Sequence, residues 1–116
     1  MSDRLIDPNE AVDYMIFNSK KYAVAEANKV YMEEMRKTIK AEEMKAAENR
    51  SPEYKTAAMQ EREAYASPRY KQHLEALQEA VRVREEYRWM LIAAQARIEV
   101  WRSQEASNRT QDRMTT

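Results

Sequence analysis

The sequence predicts an all-α protein: two long antiparallel helices joined by a short helix, a helical bundle completed by oligomerisation. Three observations carry that expectation. The 116 residues contain no glycine, so hairpin turns, phosphate-cradling loops and left-handed helix stops all lack their usual residue. The three prolines each follow a capping residue, in Asp7-Pro8, Ser51-Pro52 and Ser67-Pro68. There the side-chain oxygen serves as N-cap and the proline takes the first helical position, where its missing N–H costs nothing. Between those starts the apolar residues recur at steps of three and four.

The first helix is expected from Pro8 to about Glu48. Val12, Met15, Ile16, Ala23, Ala27, Val30, Tyr31, Met35 and Ile39 form its stripe, which drifts around the axis and suits more than one neighbour. Asn18-Ser19 is its weakest point, because both side chains compete for local backbone, so a kink or restart is expected there if anywhere. Glu33-Lys37 and Glu42-Lys45 are helix-spaced ion pairs.

A second helix is expected from Pro52 to Ala66. Its cap, SPEYK, nearly repeats the SPRYK that opens the third helix at Pro68, and each proline lets the chain turn at the serine before it. The third helix meets no breaker before the tail and is expected to reach about Ser107, roughly 60 Å at 1.5 Å per residue. Leu74, Leu77, Ala80, Val81 and Val83 give its opening turns a single apolar face. From Trp89 to Trp101 the run WMLIAAQARIEVW is apolar nearly all round, and a helix apolar on every side is covered on every side. Trp89, Met90, Leu91, Ile92, Ala94, Ile98 and Trp101 are therefore the expected subunit interface. Residues 108–116 are polar and expected to fray.

Composition sets the limits. The length suits one domain, 1–116, with 43% apolar and 34% charged residues. Leu, Ile, Val and Phe together number only 16, so the core is thin and a second copy or partner is needed to complete it. The 20 basic and 20 acidic residues cancel, which gives no general pull toward nucleic acid. With no cysteine there are no disulfides, thiolate nucleophiles or sulfur ligands, and a reducing compartment is expected. Asp3, Arg4 and Asp7 are unlike a secretory leader, and the apolar run from Trp89 to Ala94 is far short of a membrane span. No membrane association is expected.

Enzyme signatures are missing. Phosphate loops and dinucleotide fingerprints need glycines that this chain lacks. His73 is the single histidine and no Glu-x-x-His couples a carboxylate to it, so it reads as a helix-surface residue. The doublets Glu33-Glu34, Glu42-Glu43 and Glu85-Glu86 read as solvated faces. No catalytic residue, metal site, cofactor or small-molecule substrate is expected.

Binding is the remaining class. Residues 87–116 hold Arg88, Arg97, Arg102, Arg109 and Arg113 against Glu99, Glu105 and Asp112. Arg102, Arg109 and Arg113 share one helical face beside Trp101, where guanidinium forks suit phosphates and an indole can stack on a base. The competing reading pairs Arg102 and Arg109 with Glu105, which lies three and four residues away. These three arginines are the candidate contact for single-stranded DNA or a protein. Met15, Met32, Met35, Met44 and Met59, with Tyr14, Tyr22, Tyr31, Tyr54, Tyr65 and Tyr70, supply adaptable core or contact surface.

Two stretches, TAAMQEREAYASPRY at 56–70 and AAQARIEVWRSQEASNR at 93–109, carry a resemblance. The chain, from about Ala11 to Arg113, resembles small helical proteins of tailed bacteriophages and prophages, often encoded beside genes for DNA recombination and replication. The resemblance implies a phage origin, the bacterial host cytoplasm and an early, non-virion setting. It brings no catalytic residues with it. The expected function is a non-enzymatic accessory protein of recombination or replication that binds a protein partner, with single-stranded DNA as a candidate further ligand. An anti-defence inhibitor of a host nuclease or CRISPR-type complex is the alternative, and a structural component of a phage assembly is the second.

Overall fold

A computed structural model describes residues 7–115. Among them there are three helices and no strand: α1 (Pro8–Arg50), α2 (Ala57–Ala66) and α3 (Pro68–Thr115). The protein is all-α, with a short helix between two long ones of 43 and 48 residues. Without glycine, none of the described residues takes a positive φ.

Two of the three Xaa-Pro caps form as the sequence suggests. Asp7 Oδ1 accepts from the N–H groups of Asn9 (2.9 Å) and Glu10 (3.4 Å), and Ser67 Oγ accepts from Tyr70 N–H at 3.1 Å. Ser51-Pro52 behaves differently. It makes a turn closed by Tyr54 N–H on the Ser51 carbonyl at 3.2 Å, with Ser51 Oγ accepting from Glu53 N–H. The second helix starts five residues later than expected, at Ala57. Its N-cap is Thr56 (φ −99°, ψ 153°), whose hydroxyl accepts from Met59 N–H at 3.2 Å. Proline's fixed φ serves the second position of a turn as well as the first turn of a helix, so the dipeptide alone did not decide.

The third helix also departs from expectation. Instead of fraying after Ser107 it continues to Thr115, where Thr110 and Thr115 hydroxyls donate back to the carbonyls of Ala106 and Asp112. Thr116 and residues 1–6 lie outside the described residues. No restart occurs at Asn18-Ser19. Asn18, only 7% exposed, donates through Nδ2 to the Tyr14 carbonyl at 3.0 Å, and Ser19 donates to the Ile16 carbonyl at 2.9 Å. Both side chains are satisfied inside the helix they were expected to disturb.

The chain divides into two compact units. Unit 2 is Val24–Arg84 and contains the end of α1, all of α2 and the start of α3. Its long helices run antiparallel, as three links show: Glu26 with Arg84, the Met32 carbonyl with His73, and Glu42 with Arg69 at 2.8 Å. Lys40–Glu61 and Arg50–Glu63, both at 3.4 Å, tie α2 to α1. Ala25, Ile39, Ala47, Ala64, Tyr70 and Ala80 are buried, and Tyr65 meets Tyr70 edge-on at 5.3 Å. Alanine at most of these sites lets helices approach closely but buries little apolar area.

The expected pairs Glu33–Lys37 and Glu42–Lys45 are replaced by Lys29–Glu33 (3.3 Å), Glu34–Lys37 (3.4 Å) and Glu42–Arg69. Several partners lie within three or four residues of each charge, and the Arg69 fork draws Glu42 across to another helix.

Unit 1 joins the first stretch of α1, up to Ala23, to α3 from Glu85 onward. Among its described residues only Ala11, Asn18 and Ala94 are buried. Its core contains no fully buried large side chain among those residues.

Candidate protein-interaction surface

What unit 1 fails to bury, it displays. Val12, Ile16 and Phe17 on α1 and Trp89, Met90, Ile92 and Val100 on α3 are exposed, Phe17 at 64% and Trp89 at 59%. Single exposed apolar residues are ordinary, but these seven large ones against three small buried residues make this part of unit 1 a candidate contact surface.

The structure divides the expected interface by helical face. Leu91, Ala94, Ile98 and Trp101, at steps of three and four, are half-buried or buried, and lie on the side that carries Ala94. Trp89, Met90 and Ile92 fall outside that stripe and remain exposed. On the outward side, Trp89, Ile92, Ala96 and Val100 form a second apolar stripe along α3. Arg88 stands over the Trp89 ring at 5.3 Å.

Between the helices of unit 1 lies a groove of about 490 Å³. Asp7, Glu10, Ala11 and Tyr14 line one side, and Met90, Ala93, Ala94 and Arg97 the other. Its floor is alanine and its walls are aromatic and thioether, with carboxylates on the α1 rim and a guanidinium on the α3 rim. Among the described residues no ion pair joins Glu10 to Arg97. From the groove along α1, Glu10, Tyr14, Phe17 and Lys21 follow steps of four, three and four, the last two lying beyond the groove's lining. Along α3, Arg97, Ala93 and Met90 of the lining, and Glu86 beyond it, follow the same steps in the opposite direction. Lys21 Nζ sits 4.2 Å from the Phe17 ring centroid. Sequence reasoning overlooked Phe17 and this matched pair of walls, although the steps are legible in the sequence.

The arginine stripe is exposed, but its pairing differs from the competing reading. Arg102 pairs with Glu99 at 3.1 Å rather than with Glu105, and Glu99 also accepts from Gln95 at 3.3 Å. Arg109 and Arg113 are exposed near the end of α3. His73 is half-buried rather than a surface residue: its Nε2 lies 2.6 Å from the Met32 carbonyl oxygen.

Among the described residues no group of three His, Cys, Asp or Glu could hold a metal ion, and no helix is long and apolar enough to cross a membrane. Lys40 and Glu79 have displaced ionisation. A hydrogen bond with Tyr65, ahead of the neighbouring Glu61 charge, holds the Lys40 ammonium above its ordinary range. The Arg82 fork holds the Glu79 carboxyl below the usual carboxylate range. Both pairs lie in unit 2, whereas the groove belongs to unit 1.

No protein-family model, curated protein or solved structure matches the chain. The surface itself therefore carries the functional reading.

Proposed function

We propose that the protein is a non-enzymatic accessory factor that assembles with itself and binds a second protein through the apolar surface of unit 1. The outward stripe Trp89, Ile92, Ala96 and Val100 supports this reading most directly, because large apolar groups held in water are favourable only when something covers them. The phage setting, the host cytoplasm and a partner from DNA recombination or replication rest on the sequence resemblance. Single-stranded DNA is a further ligand of the same reading, through Arg102, Arg109 and Arg113.

Affinity capture from phage-infected cells tests it, with the wild-type chain beside a Trp89→Glu, Val100→Glu variant. Both positions are exposed, so the variant retains its helices while its stripe becomes charged. A recombination or replication protein is expected to co-purify with wild type and to be lost with the variant. Recovery of a host nuclease in its place makes the chain an anti-defence inhibitor, and recovery of capsid components makes it an assembly component. Equal capture by both chains contradicts the use of this surface.

A further inference from the structure

We propose that a second copy of this chain docks groove to groove on unit 1, with Arg97 of one copy between Asp7 and Glu10 of the other. This rests on the self-assembly proposed above and adds its surface, symmetry and pairing.

The two helices that line the groove match each other in pattern, from the groove outward. Each reads charge, apolar, apolar, charge: Glu10-Tyr14-Phe17-Lys21 on α1 and Arg97-Ala93-Met90-Glu86 on α3. Glu10 and Tyr14 line one side of the groove and Arg97, Ala93 and Met90 the other. The same steps carry each helix on to Phe17 and Lys21 and to Glu86 beyond it, so that matched steps give four successive levels along the two helices. A twofold axis parallel to the helices lays α1 of one copy over α3 of the other and preserves the levels. Glu10 then meets Arg97, Tyr14 meets the small Ala93, Phe17 meets Met90, and Lys21 meets Glu86. Every charge faces its opposite, Tyr14 faces the alanine-lined groove, and the exposed Phe17 ring is covered beside it. All neighbouring helices run antiparallel, the usual arrangement of four-helix bundles.

A twofold perpendicular to the helices also sets opposite charges together, pairing Glu10 with Lys21 and Arg97 with Glu86. The chain disfavours it. Lys21 already lies over Phe17, and Glu86 already has a partner within its own chain. Every charge pair of the perpendicular axis needs one of these two groups, whereas the parallel axis confines both to a single pair. Glu10 and Arg97 have no ion pair among the described residues, and only the parallel axis brings them to each other. An arginine fork between two carboxylates is also the stronger recognition element.

Charge exchange separates the outcomes. Sedimentation equilibrium of the wild-type chain is expected to give a dimer. Glu10→Arg alone and Arg97→Glu alone place like charges together twice per dimer and weaken association at least about tenfold. An equimolar mixture of the two restores it, since each heterodimer has one native pair and one reversed pair. Because the chain has no cysteine, disulfides give a second reading that depends on distance rather than charge. Glu10→Cys mixed with Arg97→Cys is expected to cross-link into a covalent dimer, while neither variant alone does so, because the two copies of position 10 lie diagonally apart. A wild-type monomer, a mixture that stays dissociated, or cross-linking of Glu10→Cys with itself overturns the docking. If capture of a second protein survives a monomeric result, the binding function stands and only this docking fails.

Discussion

His73 on α3 places Nε2 2.6 Å from the carbonyl oxygen of Met32 on α1, a hydrogen bond that spans 41 residues of sequence. A carbonyl only accepts, so the Nε2 atom carries the proton. This hydrogen bond fastens α3 to α1 within unit 2. Replacing His73 by Ala is expected to cost about 1 kcal/mol, the usual net worth of such a bond. Urea unfolding followed by helical circular dichroism measures it. An unchanged midpoint contradicts a structural role for the imidazole.

The helix starts differ in what they depend on. Thr56 caps α2 through Met59 N–H, so Thr56→Ala is expected to destabilise by about 1 kcal/mol. Ser51 serves a turn, so Ser51→Ala is expected to cost less than Thr56→Ala in the same thermal melt. The reverse order would place the cap back at Ser51-Pro52.

Helix starts at Pro8 and Pro68 were legible in the sequence because a capping oxygen, a proline and an apolar period agree there. Pro52 was not, because the same dipeptide opens turns and helices, and only Thr56 further along decides between them. The inward register of unit 1 was hidden for another reason: Ala11, Asn18 and Ala94 carry almost no hydrophobic signal. The run from Trp89 to Trp101 is apolar nearly all round, yet its own chain covers just the side that carries Leu91, Ala94, Ile98 and Trp101. Spacing left the partner of Arg102 undecided, since Glu99 and Glu105 lie equally far along the helix on either side of it.

Lys40 gives a pH-dependent test. Its ammonium is held above the ordinary value of 10.5 by the Tyr65 hydrogen bond first and the Glu61 charge after it. A raised folded value means that its contribution to stability is complete below the unfolded value and fades as pH climbs through the folded one. Tyr65→Phe keeps the ring beneath Lys40 but removes the hydroxyl. The lysine titration, followed by NMR of its ε-carbon, is then expected to fall back toward 10.5. A titration unmoved by Tyr65→Phe contradicts the assigned cause.

The arginines make a quantitative prediction about nucleic acid. If Arg102, Arg109 and Arg113 grip phosphates, affinity for a single-stranded oligonucleotide falls with salt, and each contact adds roughly 0.7 to the log–log slope. Changing all three to Gln flattens that slope by about two units and leaves helicity intact. Fluorescence anisotropy across a salt series reads both effects. A slope identical in wild type and triple variant removes these residues from any DNA contact.

Unit 1, with Ala11, Asn18 and Ala94 as its buried residues, is proposed to be completed by a second copy, and the rest of the functional reading depends on that. Light scattering coupled to size exclusion at micromolar concentration tests it most directly. The expected mass is about twice that of the 13.8 kDa chain, well folded and falling toward one chain only on dilution. A stable, fully helical particle of one chain mass across that range contradicts it.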